Sequence, residues 1–173
     1  RAHLPALLAL PEYDLVAVCT AHPETAKESR AHYGARKAYW DYTNLINDPD
    51  VEVVDICVKA PSHYEVAMAA LNAGKHVFCE WPLGADSKQA DQMAALARSK
   101  GVQTMVGLQA RYSPSFQHFR QLVAEGYVGQ MIGANMTMFL PGLLRPRREE
   151  FDWRAQKTSG AHTLSIATGH ALD

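Results

Sequence analysis

No apolar run in this 173-residue chain approaches the ~20 consecutive residues that a membrane-spanning helix needs. Charge of one sign is lacking too: 17 Lys and Arg stand against 18 Asp and Glu, formally −1 with His neutral. That balance gives no long-range field to hold nucleic acid or an anionic membrane. The densest basic run, Arg145-Pro146-Arg147-Arg148, is followed at once by Glu149-Glu150 and reads better as a solvated loop than as an anion site. Cysteine is scarce. Cys19, Cys57 and Cys79 are odd in number and have no metal-like spacing, so no metal is expected. Each lies near the end of an apolar run, where a small buried thiol in a reducing cytoplasm is the expected role. The chain opens on Arg1-Ala2-His3-Leu4-Pro5 without Met, as the interior of a longer chain would. A signal-peptide pattern, internal repeats and low-complexity stretches are also lacking.

What is present is ordinary globular material: 47% hydrophobic and 20% charged residues. The length suffices for one well-cored domain and part of another. Short β-rich runs alternate with longer helical ones. Leu15-Val16-Ala17-Val18-Cys19 is continuously apolar, as a strand covered on both faces should be. Pro23 to Tyr33 follows as a helix, with Pro23 and Glu24 in its first turn and Gly34 as its stop. Val53 to Val58 is a second strand. Ser62-His63-Tyr64-Glu65 then reads as a capping box opening a helix that runs to Gly74. His76 to Cys79 is a third strand. A helix from about Ser87 to Lys100, closed by Gly101, leads to a fourth strand, Gln103 to Gly107.

Strands joined by helices of ten or more residues imply parallel pairing, hence a doubly wound α/β sheet of Rossmann type. After Gly107 the rhythm changes. Ser113-Pro114 starts a helix ending near Gly126, and Met131 to Phe139 reads as a long strand with one exposed face. A boundary near residue 112 therefore divides the chain into 1–112, the parallel-sheet domain, and 113–173, the start of a second domain.

Ligands of open α/β sheets bind beyond the carboxyl ends of the strands. Those ends carry Thr20-Ala21-His22, Lys59-Ala60-Pro61, Glu80-Trp81-Pro82 and Gln109-Ala110-Arg111. Three of the four place a charged residue there. A G-x-G-x-x-G phosphate loop is not present, and neither is the strand that should precede it; Arg1 to Leu10 reads as the tail of the helix that follows such a loop. The strand that should end in an acidic residue for a ribose 2′-hydroxyl ends instead in Thr20 and Ala21. His22 either faces a 2′-phosphate or is a surface histidine, so both NAD and NADP remain candidates.

The blocks from Val58 to Gly84, with Ala-Pro-Ser-His, Ala-Gly-Lys-His-Val and Cys-Glu-Trp-Pro-Leu, resemble the Gfo/Idh/MocA family of glucose-fructose oxidoreductase and inositol dehydrogenase type. Val106 to Pro114 matches its next block, and Gly169-His170-Ala171-Leu172-Asp173 its later His-x-x-Asp element. The resemblance implies a Rossmann domain, then a domain with a large antiparallel sheet often used for oligomerisation. It also implies hydride transfer between NAD(P) and a sugar, polyol or related hydroxyl compound. Cofactor contacts would come from Thr20, His22, Lys59, Ala60, Pro61, His63, Glu80, Trp81, Pro82, Gln109 and Arg111.

Two departures bear on chemistry. The family carries Glu-Lys-Pro where this chain has Glu80-Trp81-Pro82, and an Asp four residues before the late His where this chain has Ile166. Trp81 brings neither a positive charge nor an exchangeable proton at neutral pH. One reading is an enzyme with relocated groups, in which Lys59 replaces the missing cation, pairs with Glu80, and His170 takes the substrate proton. Lys59 as a solvated side chain or cofactor contact, and His170 as a hydrogen-bonded core histidine, stand beside it. The other reading is a dinucleotide-binding regulator similar to the yeast repressor of the galactose regulon, acting through a protein partner. The Glu-Trp pair and Leu122 to Gly129 resemble that branch. Trp81 would then stack near the nicotinamide or simply pack in a core.

Overall fold

The computed structural model describes residues 3–139 and 149–173, so the basic run at residues 145–148 lies outside the described residues. The chain forms two compact units. The first gathers Arg1–Ile56, Glu65–Phe78 and Met93–Thr104; the second gathers Cys57–Tyr64, Cys79–Gln92 and Met105–Asp173.

The first unit opens with α1 (His3–Leu8), β1 (Ala17–Cys19), α2 (Pro23–Tyr33), β2 (Lys37–Tyr39), α3 (Tyr42–Ile46) and β3 (Val53–Ile56). Strands β1 and β2 pair in parallel, Ala17 opposite Lys37 and Cys19 opposite Tyr39, with the 11 residues of α2 as the crossover. Helix α2 begins where Pro23 pre-sets the first helical φ. It stops at Gly34, whose φ of 74° a side chain would resist and whose N–H closes the last turn on the Arg30 carbonyl. Helix α3 is started by Asp41, whose carboxylate accepts from the Thr43 N–H at 2.8 Å. Neither β2 nor α3 was expected from the sequence: at three and five residues they are too short to show a periodicity.

Helix α4 (His63–Asn72), strand β4 (His76–Glu80), helix α5 (Ser87–Lys100) and strand β5 (Thr104–Gly107) continue the alternation, and β3, β4 and β5 lie in that order in a second sheet. Val54, Ile56, Val66, Ala67, Ala70, Leu71, Val77, Met93 and Ala97 are buried. In β1, expected to be covered on both faces, Val18 is buried and Ala17 and Cys19 are half-buried. Along β3 burial alternates, with Val54 and Ile56 inside and Val53 46% exposed. The thiol expectation also holds only in part, since Cys79 is buried, Cys19 half-buried and Cys57 exposed. Burial raises the Cys19 thiol above its ordinary range, and the nearby Asp41 carboxylate adds to this.

The capping box does not form. Ala60–Ser62 make a 3-10 turn in which the Ser62 N–H donates to the Lys59 carbonyl at 2.8 Å, and α4 starts only at His63. Glu65 does not reach back to the helix start; its carboxylate accepts from the Tyr42 hydroxyl at 2.5 Å.

The second unit holds a 3-10 turn over Gln109–Tyr112, helix α6 (Pro114–Ala124), short turns over Glu149–Ala155 and Lys157–Ser159, and helix α7 (Thr163–Leu172). The strand expected over 131–139 is not formed. These residues are irregular and exposed, Ile132 and Phe139 almost fully. A lone extended segment leaves its N–H and C=O groups unpaired, and among the described residues no strand lies beside it to supply partners. The antiparallel sheet expected after residue 112 is therefore not seen in the described residues.

Candidate functional site

The second unit brings together most of the residues singled out at the strand ends. Lys59 follows β3 by three residues and precedes the 3-10 turn in extended conformation, φ −63° and ψ 135°. It is exposed, and its ammonium has no hydrogen-bond or ion-pair partner among the described residues. The pairing expected between Lys59 and Glu80 is thus not made, and Glu80 remains the half-buried last residue of β4. Ala60 is buried and Pro61 exposed in the turn that follows.

His63 sits at the start of α4 with 1% of its surface exposed. Its Nδ1 lies 2.8 Å from the Pro82 carbonyl oxygen and its Nε2 3.0 Å from that of Val58. Both partners are acceptors and a neutral imidazole carries one N–H, so the ring donates to one of these carbonyls and packs against the other. His63, expected to touch the cofactor, lies between these two main-chain carbonyls. It ties the segment after β3 to the segment after β4. The Trp81–Pro82 peptide of that second segment is cis.

Trp81 points its indole N–H at the main-chain oxygen of Ser165, in α7, at 3.3 Å. One turn on, Gly169 faces the same indole so closely that a Cβ there would overlap it. Ser165 is itself well anchored. Its hydroxyl donates to the Gly160 carbonyl at 2.9 Å, and its N–H donates to His162 Nδ1, the helix cap, at 3.2 Å. His170 follows Gly169 in α7 and is half-buried; Ile166 stands one turn before it.

Gln109 and Arg111 are exposed in the 3-10 turn after β5. The Arg111 guanidinium grips Asp173 at both carboxylate oxygens, Nε donating to Oδ2 at 2.9 Å and a terminal N–H to Oδ1. Those hydrogen bonds hold the Asp173 carboxyl below the ordinary carboxylate range, with a smaller contribution from His170, and raise Arg111. Arg111 was expected as a cofactor contact, and this ion pair occupies its fork. Asp173 had no role in the sequence reading, although its place three residues after His170 in the His-x-x-Asp element was the signal that pointed to it.

Thr20 and His22 belong to the first unit. The Thr20 hydroxyl donates to the His22 carbonyl at 3.0 Å and lies 2.6 Å from the Thr25 hydroxyl. His22 is the exposed residue before α2, and its side chain caps nothing.

A family model described as Gfo/Idh/MocA, oxidoreductase family, NAD-binding Rossmann fold, matches residues 1–108. The dehydrogenase aclE of Aspergillus oryzae is 34% identical over 167 residues, covering 94% of this chain and 44% of the relative. Levoglucosan dehydrogenase of Pseudarthrobacter phenanthrenivorans is 29% identical over 182 residues, covering 100% of this chain and 46% of the relative. Among solved structures, an NAD binding oxidoreductase from Klebsiella pneumoniae is similar with a TM-score of 0.69 and 34% identity, over 96% of this chain and 48% of that one. The chain spans about half the length of the curated relatives it matches. The fold is Rossmann-like, a parallel sheet with helices, and its cofactor is a nicotinamide dinucleotide.

Proposed function

The chain belongs to the Gfo/Idh/MocA oxidoreductase family, and from that premise we propose that the whole protein is an NAD(P)-dependent dehydrogenase of a sugar, polyol or related hydroxyl compound. The observation that carries the reading is the uncommitted ammonium of Lys59 at a strand end, in the unit that also holds His170. Lys59 suits an anionic dinucleotide, because its exposed ammonium has no partner among the described residues. When bound, the nicotinamide supplies a hydride acceptor. His170 takes the proton from the substrate hydroxyl as hydride leaves its carbon, and Lys59 orients the polarised oxygen. Residues 1–112 form the dinucleotide-binding domain, and 113–173 begin the substrate and oligomerisation domain. The free cysteines suit a cytoplasmic protein. The test is to mix the complete protein with NAD or NADP and a panel of sugars and polyols, following reduced nicotinamide by absorbance. Reduction with any one class supports the reading. Its failure in a sample shown to bind the cofactor overturns it.

A second reading is favoured by Trp81 and Ile166 standing where the family resemblance puts Lys and Asp. It is a non-catalytic dinucleotide-binding regulator similar to the yeast galactose-regulon repressor, signalling to a protein partner. Cofactor binding without turnover, together with partner capture that depends on cofactor, would select it.

A further inference from the structure

The indole of Trp81 makes two separate contacts with one face of α7: its N–H with the Ser165 oxygen at 3.3 Å, and its ring edge with the bare Cα of Gly169. Ser165 and Gly169 are four residues apart, one above the other on that face. At its other end, Trp81 is followed by Pro82, whose carbonyl oxygen lies 2.8 Å from Nδ1 of buried His63, while the other ring nitrogen lies 3.0 Å from the Val58 oxygen. A continuous series of contacts therefore runs from the segment after β3, through His63 and the segment after β4, to the turn of α7 that carries His170. Each link is a buried or half-buried side chain with a specific polar partner, and such links have few alternative arrangements.

We infer that Trp81 is a positioning residue: it fixes the helix turn that carries His170 and neither stacks on the cofactor nor exchanges a proton. The inference rests on the dehydrogenase reading for its kinetic consequence, but the clamp itself does not depend on turnover. Trp81 acts through His170. Removing the N–H, or pushing the indole off Gly169, lets α7 and with it His170 shift, while Lys59 in the segment after β3 stays in place. A shift of about 1 Å in a reacting group costs on the order of 10²-fold in rate.

Two variants of the full chain reach the clamp from opposite sides. Trp81→Phe keeps a ring and removes the N–H, and Gly169→Ala leaves Trp81 intact and fills its seat. Each is expected to lower kcat by about 10²-fold with cofactor affinity unchanged, and to add nothing further in a His170→Ala background. Each is also expected to move the His170 ring signals in a heteronuclear NMR spectrum of the protein with labelled histidine. Losses that multiply with His170→Ala, or unmoved His170 ring signals in both variants, would overturn the clamp. If the unaltered protein oxidises no substrate, the dehydrogenase reading falls, while the ring signals still decide the clamp. A thermal melt of each variant separates a loosened helix from a protein that no longer folds.

Discussion

Lys37 holds Asp48 at both carboxylate oxygens, its Nζ 2.9 Å from Oδ1 and 2.8 Å from Oδ2. The same ammonium reaches Asp50 at 2.8 Å, the Tyr39 hydroxyl donates to Asp48 at 3.0 Å, and the Asp50 N–H donates to Asp48 at 3.1 Å. Asp48 is 5% exposed, so this cluster joins β2 to the loop before β3 by a nearly buried carboxylate with every lone pair engaged.

The bonds from Lys37, then the Asp50 N–H, depress the Asp48 carboxyl, and the carboxylates of Asp48 and Asp50 raise Lys37. A depressed carboxyl contributes stability above its unfolded value of about 3.9, and that contribution is lost as pH falls through the lower folded value. The acid limb of the stability curve should therefore be steeper in the unaltered protein than in Asp48→Asn. At pH 7 that variant should melt roughly 5–10 °C lower, since Lys37 loses a charged partner. Thermal melts from pH 2 to 7 check this, and parallel acid limbs would exclude a role for Asp48.

His63→Ala removes a ring that lies between two main-chain carbonyls and donates to one of them, in a site that is 1% exposed. The carbonyl left without its donor costs about 1–3 kcal/mol, and the emptied ring volume adds to that. Denaturant unfolding should show a loss of about 3 kcal/mol or more. Proteolysis should become faster at the segments after β3 and β4. A variant as stable as the parent would mean that neither contact carries weight.

Gly160 combines a φ of 65° with a Cα seated against the main chain of Ala85. Gly160→Ala forces either the turn before α7 or residue 85 to move, and should cost more than about 2 kcal/mol. A melting temperature within a degree of the parent would show that the two segments separate freely. By contrast, Gly34→Ala meets open space, so only its φ of 74° opposes the change, at about 1–2 kcal/mol.

On the dehydrogenase reading proposed above, Lys59→Ala is expected to lower turnover by ~10²–10⁴-fold, as loss of a positioned acid–base or orienting cation does. The exposed side chain has no partner among the described residues, so the melting temperature should not move. Steady-state kinetics with a direct cofactor titration make the check. Undiminished turnover with normal cofactor affinity would remove Lys59 from the chemistry.

The alternation of strands and helices was legible because it rests on local rules. Apolar runs of strand length, Pro23 and Pro114 at helix starts, and Gly34, Gly74 and Gly101 at positive φ all act within a few residues of themselves. The family blocks were legible for the same reason, as contiguous words. Local rules failed where something nearby competed: the 3-10 turn at Ala60–Ser62 displaced the capping box, and 131–139 had strand-like residues but no neighbouring strand.

By itself, then, the sequence determined the order and kind of most elements, the family, and which residues stand at the strand ends. Tertiary structure alone decided what each residue at those ends does. Trp81 found Ser165 84 positions away, Arg111 found Asp173 62 positions away, and His63 came to lie between two carbonyls, while Lys59 met no partner among the described residues. Periodicity and capping depend on neighbours three or four residues apart. The partner of a polar side chain depends on which distant backbone the packing of the core brings within 3 Å or so of it.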